Sequence, residues 1–183
     1  MSVVSIDFDY FIRETLAPIE HIDPRWHNFY ELSSFDLFAE TDIERFADFR
    51  PEEIAAILRK KGLNLDRMTK IARASEHGKA YDFLKGKSIK LLVNFDAHHD
   101  MHNHDSFGNR PAEKIEEGNW LYFLRPEGTI YIVYPKWCIA EKLVPEPETK
   151  GNVRIVTIEN LPCFIRHVDY LFVCRSDNWA PPH

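Results

Sequence analysis

Two apolar runs of strand length each empty straight into acidic residues, and this pattern restricts the fold more than any other feature of the chain. Residues 3–8 read Val-Val-Ser-Ile-Asp-Phe and continue into Asp9; residues 89–95 read Ile-Lys-Leu-Leu-Val-Asn-Phe and continue into Asp96-Ala-His-His-Asp100. Further short apolar runs lie at 129–134, 153–158 and 170–174. Strands with so little polar alternation are covered on both faces, as in a parallel sheet layered by helices. Helical patterns fall between them. The stretch 51–62 opens on Pro51, carries Glu52 and Glu53 early and Arg59, Lys60 and Lys61 late, and closes on Gly62, which suits both helix ends. The stretch 112–124 reads as a helix interrupted by Gly118, with Tyr122 and Phe123 packing inward. The long gap between 12 and 89 is expected to be mostly helical or irregular, and 144–151 a surface loop. The expectation is one α/β domain over 1–183, built on a mainly parallel sheet flanked by helices.

Open parallel sheets place their ligands at the carboxyl ends of the strands. Alternate residues of an extended backbone share a side, so Asp7 pairs with Asp9, and Asp96, His98 and Asp100 aim at one spot. Two neighbouring strands ending this way bring four carboxylates together. That much charge in a crevice raises pKa values and repels itself unless cations bridge it. An oxygen-rich set with an imidazole suits Mn²⁺ or Zn²⁺. The plainer alternative is a set of capping and turn acids beside solvated loop histidines.

A chain of 183 residues, 44% hydrophobic and 28% charged, has material for one sizeable core. Its net charge of -6 argues against a broad nucleic-acid surface. No apolar run is long enough to span a membrane. The start of the chain carries Asp7 and Asp9 in place of a basic leader, so no secretory signal is expected. Cys138, Cys163 and Cys174 are scattered and odd in number, which fits a reducing cytoplasm and buried apolar roles.

These motifs resemble those of the arginase/agmatinase (ureohydrolase) superfamily. Asp96-Ala97-His98-His99-Asp100 matches its Asp-x-His-x-Asp, Ser5-Ile6-Asp7-Phe8-Asp9 is similar to its Ser-Phe-Asp-x-Asp, and His77 precedes the first motif as the family's remaining ligand does. The order is permuted: the Asp-x-Asp segment comes first here. The small size resembles the compact peptide arginases, which convert arginine in ribosomally made precursor peptides into ornithine. The resemblance implies an arginase-like three-layer sandwich and two Mn²⁺ ions. Asp96 and Asp7 would bridge them, His77 and Asp100 would complete one shell, and His98 and Asp9 the other. A hydroxide shared by the ions would attack the guanidinium carbon and release urea. His77 has a plainer reading as a surface residue opening a helix at 78–84.

Proton shuttles are sought in the loop after the motif, where His104 is favoured over His102 and His99. Asp177 is the first candidate for facing the guanidinium, with Glu14 and Asp105 behind it. Asn119, with Trp120, could cover the site or bind peptide, although a buried aromatic is the commoner use of such a residue. The expected partner is an arginine-containing precursor peptide, with no nucleic acid and no membrane; the oligomeric state has no sequence signal. Two rivals stand beside this reading. A haloacid-dehalogenase-type phosphatase would use Asp7 and Asp9 but leaves Asp96, His98 and Asp100 without work. A non-catalytic, metal-stabilised peptide-binding module would need the same ligands.

Overall fold

A computed structural model describes residues 1–7, 10, 51–65, 68, 70–103, 111–140, 152–164 and 166–174. The elements are β1 (Ser2–Asp7), α1 (Pro51–Lys60), β2 (Leu63–Asn64), β3 (Lys70–Ala74), α2 (Lys79–Leu84), β4 (Leu91–Phe95), a 3-10 turn (Glu117–Asn119), α3 (Trp120–Leu124), β5 (Thr129–Val133), α4 (Lys136–Ala140), β6 (Val153–Val156), β7 (Arg166–His167) and β8 (Tyr170–Cys174). Six strands form one sheet in the order β3-β8-β1-β4-β5-β6, every pair parallel, and β2 pairs with β7 apart from it.

The apolar runs place β1 and β4 at the centre, where both faces need cover. One face buries Val3, Leu92, Ile130, Ile132 and Phe172 against Ala80 and Leu84 of α2 and Trp120 and Leu121 of α3. The other buries Val4, Ile6, Leu91, Val93, Phe95 and Val133 against Leu58 of α1. The result is the expected α/β sandwich of a parallel sheet between helices. Among the described residues no helix is long and apolar enough to cross a membrane.

Three expectations need correction. Among its described residues the gap before residue 89, expected to be mostly helical or irregular, also holds two short strands, and β3 is an edge strand whose Lys70, Ile71 and Arg73 are exposed. It lacks the apolar run of a covered strand because only one of its sides is paired in the sheet. The helix over 112–124 is only its last part. Asn119 accepts from the Glu116 amide at 2.7 Å and donates to the Lys114 carbonyl at 3.1 Å, taking backbone partners a continuous helix would use. The residues α3 turns inward are Trp120 and Leu121, with Tyr122 and Phe123 half-buried. Cys163 is exposed, while Cys138 and Cys174 are buried.

Candidate metal centre

The parallel register of β1 and β4 aligns Ser5 with Asn94. Asp7 and Asp96, two residues further on, therefore leave neighbouring strands at the same sheet edge. These strand faces are apolar below and polar above, with Ser5, Asp7, Asn94 and Asp96 all buried. The third strand end is β3, separated from β1 by β8. The chain leaving β3 bends at 75–78 and carries His77 back over β8. Its ring stacks on Phe172 of β8, centroids 5.9 Å apart at 11°, and leans on Trp120 at 5.0 Å. His77 is thus 1% exposed, not a surface residue.

Around His77 Nδ1 stand three carboxylate oxygens: Asp7 Oδ2 at 2.9 Å, Asp96 Oδ2 at 3.0 Å and Asp100 Oδ2 at 2.9 Å. A single ring N–H points in one direction, and no oxygen completes a well-directed hydrogen bond to Nδ1. Two donors at right angles on a cation about 2.1 Å away lie about 3.0 Å apart. The spacing is therefore that of neighbouring ligands around one cation. The donor atoms of Asp7, His77 and Asp96 all lie within 4.8 Å of one another. Three carboxylates and an imidazole form a set that fits a divalent ion of the Mn²⁺ or Zn²⁺ kind. On the far side of the ring, Nε2 meets Ser5 Oγ at 2.8 Å. That contact leaves Nδ1 as the ligating nitrogen if Nε2 donates its hydrogen to Ser5, since a ligating histidine usually engages its other ring N–H with an outer partner.

Asp96 faces two ways. Its Oδ2 takes a hydrogen bond from Asn94 Nδ2 at 3.1 Å besides facing His77, while Oδ1 accepts the His98 amide at 2.7 Å and lies 3.5 Å from His98 Nδ1. The His98 side chain is 39% exposed. The simple alternation expected over 96–100 does not hold, because β4 ends at Phe95. Asp100 instead reaches the cluster through a left-handed backbone, φ 54°, a conformation Asp tolerates better than most residues.

The charges are unevenly shared. Burial alone would lower the His77 pKa, but Asp100 and Asp7 more than offset this and hold it well above its ordinary value. Burial, then the charge of Asp96, pushes the Asp100 carboxyl well above the usual range. Burial works the same way on Asp96, but the His77 and His98 rings facing its two oxygens reverse it and hold Asp96 well below that range.

Of the ligands expected from sequence, Asp7, His77 and Asp96 bring donor atoms together, Asp100 joins them at His77 Nδ1, and His98 stands beside Asp96. Asp9, His104, Asp105, Glu14 and Asp177 lie outside the described residues. His99 is buried with Nδ1 accepting from the Met101 amide at 2.9 Å, and its ring packs 4.3 Å from that of half-buried His102. Asn119 is 2% exposed, with both ends of its amide bonded to the chain as described; this is a corrected expectation, since it shapes a turn. Two contributors had no assigned role, Ser5 and Asn94; both carried a signal, being polar residues two places before each acidic strand end. Trp120, a candidate for covering the site, is buried against His77. No protein-family model, curated protein or solved structure matches this chain.

Proposed function

We propose that this protein is a manganese-dependent guanidino hydrolase that converts peptidyl arginine to ornithine and releases urea. The observation that carries the reading is the ring of three carboxylate oxygens, 2.9–3.0 Å from a His77 nitrogen that none of them satisfies. The resemblance of the Asp-x-His-x-Asp and Ser-x-Asp-x-Asp segments to ureohydrolase motifs supplies the reaction class. Asp7, His77, Asp96 and Asp100 would hold one ion; His98 and Asp9 would hold a second, with Asp96 and Asp7 shared. When bound, two such ions lower the pKa of water and offset charge that develops on the substrate.

The chain's own residues do the rest. Ser5 fixes the His77 ring from behind, and Asn94 fixes Asp96. In the overall reaction the oxygen of water joins the guanidinium carbon and the bond from that carbon to the side-chain Nε breaks. The departing amine takes a proton, for which half-buried His102 and, by its place in the sequence alone, His104 are the candidates. His99 is a poorer donor, since its Nδ1 is engaged and its ring is buried.

The test is urea release by Mn²⁺-loaded protein from free arginine, agmatine and an arginine-containing peptide, with the peptide weighed afterwards. The expected result is urea from the peptide, with a mass loss of CH₂N₂ at one arginine and no activity in Asp96→Asn. Urea from a small molecule alone would move the substrate. No urea from any, with metal still bound, would leave a binding module.

A further inference from the structure

The segment 116–121 belongs to no metal motif, yet it holds the metal loop at three points. The Leu121 amide donates to the Asp100 carbonyl at 3.0 Å, and the His102 amide donates to the Gly118 carbonyl at 3.2 Å. The Trp120 indole Nε1 donates to Asp100 Oδ2 at 2.5 Å. That oxygen is the one standing 2.9 Å from His77 Nδ1. Trp120 is fully buried, and its ring also walls the His77 imidazole.

Asp100 needs such support. Its left-handed backbone is shared by one other described non-glycine residue, Arg125, and such conformations persist where the surroundings over-determine them. A buried indole does need an acceptor wherever it lies, and Asp100 could serve only that need. The arrangement argues for more, because the acceptor belongs to the cluster and its own backbone is gripped by the residue following the tryptophan.

We propose that Trp120 is a positioning residue of the metal centre: its indole N–H aims the Asp100 carboxylate at the place where His77, Asp7 and Asp96 converge, and so strengthens binding of a divalent cation there. This rests on the metal reading above. It adds a residue that lies 20 positions from its partner in the chain and outside the motifs that suggested the ligands.

The experiment is calorimetric titration of the EDTA-stripped full chain with Mn²⁺, alongside thermal unfolding of each metal-free protein. Three forms are compared: wild type, Trp120→Phe, and protein carrying β-(3-benzothienyl)alanine at position 120. The last keeps the shape of the ring system and replaces only the N–H with sulfur. Both changes should weaken Mn²⁺ binding by about 10- to 100-fold, the usual effect of losing an outer partner of a ligand. If Trp120→Phe does not fold, the isosteric replacement carries the test alone. Weakening by Phe but not by the sulfur isostere would mean that packing matters and the N–H does not, which overturns the proposal. Unchanged affinity in the isostere overturns it equally while leaving the metal centre intact. A wild type that binds no Mn²⁺ removes the metal reading itself, and this proposal with it.

Discussion

Loading the cluster with a divalent ion near neutral pH should release protons, and the number follows from the charges of its members. In the metal-free protein burial opposes the imidazolium, yet Asp100 and Asp7 keep the His77 pKa well above 6.5. Burial and the charge of Asp96 also raise the Asp100 pKa well above 3.8, so Asp100 and His77 compete for protons across their 2.9 Å contact. Asp96 keeps its charge, because the facing His77 and His98 rings outweigh burial. A cation needs bare donor atoms, so it must displace the proton that the His77–Asp100 pair holds. Each displaced proton makes affinity rise by about tenfold per pH unit, and at least about one per ion is expected. Calorimetry of Mn²⁺ binding in buffers of different ionisation enthalpy, on both sides of neutrality, measures the release directly. The stability of the metal-free protein carries the same signature. His77 has a folded pKa above its unfolded one, so its contribution is fully present below 6.5 and lost as pH rises through the raised value. Asp100 has the same sign from a starting value of 3.8, while the contribution of Asp96 is present above 3.8 and lost in acid. Metal-free protein should therefore weaken on the alkaline side, and Mn²⁺ should abolish that weakening. Buffer-independent heats, with affinity flat across neutral pH, would refute a proton held by the His77–Asp100 pair.

Two substitutions probe the supports of the site and fold. Ser5→Ala removes the 2.8 Å partner of His77 Nε2 in a fully buried position, so denaturant titration should show a loss of about 1–3 kcal/mol, and Mn²⁺ affinity should fall by about tenfold or more; no change in either would mean the contact does not hold the ring. Gly62→Ala puts a methyl 1.4 Å from the Phe164 carbonyl oxygen at φ 78°, and a lowered unfolding midpoint, by about 2 kcal/mol or more, is expected; a midpoint equal to wild type would contradict the close approach of these two backbones.

The covered strands were legible because burial on both faces writes an unbroken apolar run. β4 and β8 fall within or match the expected runs, and β5 ends one residue early. β3 was not legible: an edge strand carrying exposed Lys70 and Arg73 and two alanines has no apolar run to announce it. Asp7 and Asp96, at the ends of β1 and β4, could be read from spacing, since each acid terminates an apolar run. His77 could be nominated only by resemblance, as nothing near it in sequence announces that its ring folds back over β8 onto Phe172. The approach of Asp100 was expected for the wrong reason. Alternation would need an extended backbone, whereas a left-handed turn held by Trp120 and Leu121 does the work. No local pattern marks a contact between residues so far apart in the chain.

Asp96 is where the count of metal ions is decided. One oxygen turns to His77 and the other to His98, at 3.0 Å and 3.5 Å from the nearer ring nitrogens. A carboxylate serving a single cation has no need to face a second imidazole, and one that bridges two does. The inner position is enclosed by His77, Asp7, Asp96 and Asp100, all buried, while the outer one is bordered by a His98 side chain that is 39% exposed. The two should therefore respond differently to substitution. Wild type should bind two Mn²⁺ per chain, His98→Ala one, and His77→Ala should damage the position that remains in His98→Ala. Metal analysis after gel filtration, together with calorimetric stoichiometry, measures this. One ion in wild type, with His98→Ala still binding it unchanged, would make the contact of Asp96 with His98 a loop hydrogen bond only. The cluster would then be a mononuclear site, and the two-ion route to the guanidinium would fail with it.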